Sequence, residues 1–129
     1  MFKQGPLPPF VHGVIEYLAA ALLIAAPFLF SFDSDAATAA SIVGGVLVLV
    51  VTACTALPTG IIKSIPVHAH AVIDYVLAIV LIEVPFIFGF TDDGTATAFF
   101  IVAGVVYLLV TIATRFVSAE PPRRRRAEG

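Results

Sequence analysis

The chain of 129 residues is 60% hydrophobic and 12% charged, with a mean hydropathy of +1.05. Soluble domains carry about 25% charged residues, and a chain this short has too much surface for its volume to hide so many apolar side chains from water. An ordinary soluble globule is excluded, and so, with a single cysteine (Cys54), is an intramolecular disulfide.

Residues 1–9 form a short N-terminal segment carrying Lys3. An apolar run from about Phe10 to Phe32 follows, interrupted by His12, Glu16 and Pro27. The turn Ser31-Phe-Asp-Ser-Asp35 leads into a second run from about Ala36 to Leu57, in which Ala37, Ser41 and Gly45 recur every fourth residue and permit close helix approach within the chain. Cys54 reads as a packed core thiol. Residues 58–68 are a loop punctuated by Pro58, Gly60 and Pro66 and carrying Lys63. The third run spans about Ala69 to Phe90 and holds His70, Asp74, Glu83 and Pro85; a second acidic turn with Asp92 and Asp93 precedes the fourth run, about Thr95 to Val117. Residues 118–129 are a basic tail containing Arg123, Arg124, Arg125 and Arg126, disordered by composition.

Each run has about the 20 residues that a helix needs to cross the roughly 30 Å hydrocarbon core, and all-round apolarity excludes surface helices. The expected fold is all-α integral membrane: four transmembrane helices forming hairpins at 10–57 and 69–117. The hairpins are one motif written twice. His12-Gly-Val-Ile-Glu16-Tyr17 returns as His70-Ala-Val-Ile-Asp74-Tyr75, an offset of 58 (His12 to His70). Val51-Thr52-Ala53-Cys54-Thr55 returns as Val110-Thr111-Ile112-Ala113-Thr114, an offset of 59 (Thr55 to Thr114). Pro8 and Pro66 each stand four residues before the repeat histidine, as suits a helix start. With two spans per copy, the copies insert in the same sense, so equivalent residues sit at equal depth. The first run therefore reads as a retained helix, not a cleaved signal. Because Lys3, Lys63, Arg115 and the tail arginines share one side, the positive-inside rule places both termini in the cytoplasm of a prokaryotic plasma membrane.

His12 and Glu16 lie one helical turn apart, as do His70 and Asp74. Carboxyls facing lipid would cost about 2.5–3.5 kcal/mol each, so both acids should face inward. The expected arrangement is a polar clasp in which each acid pairs with its own histidine, or with a tyrosine or helix terminus across the molecule. Three alternatives stay open: proton or ion coupling through the carboxyls, a metal held by His12, Glu16, His68, His70 and Asp74, or haem between the two histidines. Glu83 matches Ala25 in the first copy and points away from the His70–Asp74 face. It suits a neutral hydrogen-bonding contact with the fourth helix or a second subunit. Pro27 and Pro85 should free the carbonyls of Leu23 and Leu81 and bend their helices.

The His70-x-x-x-Asp74 start and the close Pro85-Phe-Ile-Phe-Gly-Phe90, repeated in the first copy, resemble the SPW-repeat family of small prokaryotic membrane proteins. Where that family has Ser-Pro-Trp, this chain has Ala26 and Val84 for serine and Phe28 and Phe86 for tryptophan; the first copy also has Glu16 for aspartate and Ser31 for glycine. The resemblance implies a multi-pass membrane protein and carries over no catalytic residues.

No nucleophile–base pair, phosphate loop or paired Cys-x-x-Cys is visible. The expected function is non-enzymatic: a structural or accessory membrane component without cofactor or metal. An oligomeric proton- or ion-coupled transporter or channel, using Glu16 and Asp74 with Glu83 as a further candidate carboxyl, is the runner-up, and a haem- or metal-binding protein comes third. Expected partners are the bilayer, anionic lipids at the arginine tail, and a homo-oligomer or membrane-protein partner; nucleic acid is not expected.

Overall fold

The computed structural model describes residues 6–56 and 60–114. They form four helices: α1 (Pro9–Leu29), α2 (Asp35–Ala53), α3 (Val67–Ile87) and α4 (Gly94–Ala113). All four are long and apolar enough to cross a membrane. This is an all-α membrane protein. Runs rich in valine and isoleucine are helical here because a lipid-embedded backbone must satisfy its own hydrogen bonds. Lys3, Pro58, Arg115 and Arg123 to Arg126 lie outside the described residues, as do the expected run ends Leu57 and Val117.

The helices are shorter than the apolar runs at their C-terminal ends. α1 stops at Leu29 and α3 at Ile87, three residues before Phe32 and Phe90. The cause is a repeated terminator. Ser31 (φ +52°) and Gly89 (φ +69°) turn left-handed, and the Phe32 and Phe90 amides donate back to the carbonyls of Pro27 and Pro85. This is the Schellman arrangement, in which a left-handed residue lets the backbone satisfy the last carbonyls. Pro27 and Pro85 thus belong to the helix-ending apparatus, in the last turn, and not to a mid-helix hinge. The Leu23 carbonyl, which Pro27 cannot serve, accepts the hydroxyl of Ser41 from α2.

The two hairpins meet by the same contact made twice. The start of α1 lies against the end of α4, where the Leu7 amide donates to the Ala113 carbonyl at 3.0 Å and Leu7 bridges Thr114. The end of α2 lies against the start of α3, where Thr55 bridges Ile65. These contacts define a loop end, with Lys63 exposed in its α2–α3 connection. At the opposite turn end, Phe100 is fully buried and packs against Phe32, Phe90 and Phe99 with ring centroids 5.4–6.3 Å apart. Gly45 and Gly104 bring α2 onto α1 and α4 onto α3. Large side chains such as Leu18, Val43, Val72, Val102 and Ile112 are exposed on the outside, as contact with acyl chains requires. Cys54 is only half-buried, a correction to the packed-thiol reading. It caps α2 at the loop end, beyond the tightly packed core.

Asp93 fastens the turn end. Its carboxylate accepts the backbone amides of Asp33 (2.8 Å), Ser34 (3.0 Å) and Ala96 (3.1 Å). It thereby caps α4 while tying down the α1–α2 turn of the other hairpin. Those amides, the Ser34 amide first, hold its carboxyl below the usual carboxylate range. A depressed folded-state pKa means that this stabilisation is complete above the unfolded carboxyl's pKa and is lost as pH falls through the lower folded value. Asp93→Ala is expected to cost about 1–2 kcal/mol at neutral pH. The gap from wild type should close in acid when melting in detergent is followed against pH; a gap independent of pH would exclude the ionic cap.

Candidate functional site

One polar cluster stands inside the apolar helices. It is built from the first turns of α1 and α3, which carry His12 and His70, and from the next turn of each, which carries Glu16 and Asp74. His12 and His70 have no exposed surface, and Glu16 and Asp74 are 1% exposed. The equal-depth geometry of the two copies brings all four together. His12 Nε2 lies 2.9 Å from both Glu16 Oε1 and Asp74 Oδ2. His70 Nε2 lies 2.7 Å from Glu16 Oε2 and 3.0 Å from Asp74 Oδ2. Each imidazole therefore meets the acid of its own helix and the acid of the other hairpin. The two rings stand edge to face, with centroids 5.9 Å apart.

Hydroxyls from α4 and the helix ends close the cluster. His12 Nδ1 is 2.7 Å from Thr114 Oγ1, and His70 Nδ1 is 2.6 Å from Thr55 Oγ1. The single hydrogen of each threonine hydroxyl is already donated one turn back, to the carbonyls of Val110 and Val51. Each Thr oxygen must therefore accept, and each Nδ1 must donate. Both Nε2 atoms then face carboxyl oxygens, and since two lone pairs at such distances repel, a hydrogen must lie between ring and acid, carried by the nitrogen or by the carboxyl. Two imidazolium rings facing two carboxylates, or neutral rings facing protonated acids, give a cluster with no net charge. Absence of net charge lowers the cost of holding four ionisable groups out of water.

The acids are unequal. Glu16 Oε1 accepts from His12 and from the Tyr107 hydroxyl (2.7 Å), and Oε2 accepts from the Thr52 hydroxyl (2.7 Å) and lies 2.7 Å from His70 Nε2. Asp74 Oδ1 faces only the Tyr107 hydroxyl, at 2.9 Å. Tyr107 has one hydrogen for two carboxylates, and the shorter contact is to Glu16. Where the second copy has Tyr107 the first has Val48, and where the second has Asp74 the first has the longer Glu16. These two differences break the symmetry at its centre.

Sequence reasoning named His12, Glu16, His70 and Asp74, and the structure brings these four into contact. Glu83 does not join them. It is exposed on the outer face of α3, so the expected contact with the fourth helix is corrected. His68 is also exposed, outside the cluster, because it sits two residues before His70 on the opposite side of α3. Thr52, Thr55, Tyr107 and Thr114 were missed. The threonines had a signal, since Thr52 and Thr55 recur as Thr111 and Thr114. Tyr107 had none, lacking a counterpart. A haem between the histidines does not fit, because the carboxyls of Glu16 and Asp74 occupy the space between the rings.

The family model of the SPW repeat domain matches residues 10–114, most of the chain and all four helices. The chain belongs to the SPW-repeat family. No curated protein and no solved structure matches this SPW-repeat protein. In structural terms, its repeat motif supplies two things: a histidine and an acid at the start of each odd-numbered helix, and a proline–aromatic–left-handed terminator at its end.

Proposed function

We propose that this SPW-repeat protein is a non-enzymatic structural or accessory component of a membrane assembly, with the His–carboxyl cluster as the clasp between its hairpins. The observation that carries this is the cross-hairpin wiring. His12 reaches Asp74 and Thr114 in the second hairpin, while His70 reaches Glu16 and Thr55 in the first. Such wiring suits fixing register and partner choice between helices. Exposed Glu83 supports a partner within the membrane. A carboxyl at the outer surface of a span is expensive, and a donor from a second chain, either another copy or another membrane protein, would offset that cost. The exposed Lys63 supports a cytoplasmic loop end in a prokaryotic plasma membrane, with the acidic turns outside.

Cross-linking and co-purification of the full-length chain from native membranes test this. The expected result is a defined assembly that Glu83→Leu weakens while the cluster variants do not. A monomeric wild type, together with a proton flux in liposomes that Asp74→Asn abolishes, would replace the accessory role with the runner-up, a proton-coupled transporter.

A further inference from the structure

We propose that His12, Glu16, His70 and Asp74 form a binding site for one divalent transition-metal ion of the zinc class. One donor atom from each of the four residues lies within 4.8 Å of all the others. Convergence alone would be weak, because an acid–histidine clasp also converges. Three further features distinguish a metal site.

The first is the state of the imidazoles. A histidine that ligates through one nitrogen almost always donates the other N–H to an oxygen, which fixes the tautomer and aims the lone pair. Here both rings do so. Nδ1 of His12 and of His70 donate to Thr114 and Thr55, whose own hydrogens are tied to helix carbonyls. Both Nε2 atoms lie 2.7–3.0 Å from carboxyl oxygens of the cluster. The acids are placed as well, Glu16 by the Thr52 and Tyr107 hydroxyls, with Asp74 Oδ1 2.9 Å from the same Tyr107 oxygen. The second feature is charge. Two neutral imidazoles and two carboxylates carry −2, so one divalent cation can replace the cluster's two neutralising protons with no change in net charge. In a low-dielectric interior, a monovalent or trivalent ion would leave an uncompensated charge. The third is donor type. Two nitrogens and two carboxylate oxygens suit zinc and its first-row neighbours, whereas calcium and magnesium take all-oxygen shells.

The fit requires a modest expansion. Ligand bonds of about 2.0–2.1 Å around a tetrahedral ion set donor atoms about 3.3 Å apart, against the 2.7–3.0 Å between these partners. A cavity of about 110 Å³ beside the cluster, lined by His12, Glu16, Leu23, Phe99 and Tyr107 among others, leaves room on the α1–α4 side for that shift.

The test uses the full-length protein, without a histidine tag, stripped with chelator and titrated with Zn²⁺ in detergent. X-ray absorption then reads the bound ion's shell. The expected result is one ion per chain with a nitrogen/oxygen shell at about 2.0 Å and two imidazoles. Asp74→Asn, which preserves shape but removes a charged ligand, should weaken binding about 100-fold or more. Thr55→Val, which removes the acceptor for His70 Nδ1 along with the hydroxyl's own bond to the Val51 carbonyl but no metal ligand, should weaken it about 10- to 100-fold. His68→Ala should leave it unchanged. Melting and helical content of each variant show whether it is folded. Absence of stoichiometric binding by wild type overturns the proposal, as does binding that survives Asp74→Asn in a folded variant. The clasp is judged separately, since its loss would appear as unchanged melting of Glu16→Gln whether or not metal binds.

Discussion

Glu16→Gln is expected to destabilise the protein in detergent by about 3–5 kcal/mol, the usual penalty for breaking a buried charged pair from one side. The amide is nearly isosteric, so the loss is electrical rather than steric. Each Glu16 oxygen lies within 2.9 Å of two nitrogen or hydroxyl groups. Whichever way the amide is turned, its NH₂ meets two of them: His12 and Tyr107 on one side, or His70 and Thr52 on the other. The substitution also leaves two imidazoles facing a single carboxylate. Asp74→Asn should cost about half as much. An amide nitrogen at the Oδ1 position can donate to the Tyr107 oxygen, whose hydrogen can then go to Glu16, while the amide oxygen still accepts from His12. Reversible unfolding of the two variants side by side is the measurement. Equal losses, or a larger loss in Asp74→Asn, would mean that the two acids share the donors differently.

Gly45→Ala combined with Gly104→Ala is expected to cost about 2–6 kcal/mol in total, taking overpacking at about 1–3 kcal/mol per site and adding two separate sites. A Cβ on Gly45 would stand 2.8 Å from the Ala20 carbonyl oxygen and 2.7 Å from Cγ1 of Ile24. On Gly104 the corresponding distances are 2.8 Å to the Ala78 oxygen and 2.6 Å to Ile82 Cγ1. An isoleucine can turn aside, but a helix carbonyl cannot. The hairpins must therefore open, and they open directly above Glu16 and Asp74, one turn before Ala20 and Ala78. Melting and cysteine cross-linking between α1 and α2 would report the separation. Gly44→Ala is the control: nothing lies within 4 Å of its added Cβ, so it should be nearly silent.

Much of this molecule was legible in the chain itself. Four runs of membrane-spanning length, twice-written histidine, acid and proline positions, and short turns leave one economical architecture. Bilayer thickness and the need to satisfy every backbone group act on sequence directly. The inward-facing acids were legible for the same reason, since lipid exposure would be expensive. The shortened ends of α1 and α3 were harder to read, because Phe32 and Phe90 are as apolar as the helix they follow; only the left-handed Ser31 and Gly89 stop it.

Tertiary structure alone decided the wiring. That His12 meets Asp74 as closely as it meets Glu16 depends on how one hairpin sits against the other. So does the choice of Thr55 and Thr114, distant in sequence from the rings they orient. Tyr107 could not be inferred from the repeat, because its counterpart is Val48, and Glu83 could be assigned to the outer face only once α4 was in position. Periodicity along one helix tells which side chains share a face, whereas hydrogen-bond partners are set by the relative position of helices, which no local pattern encodes.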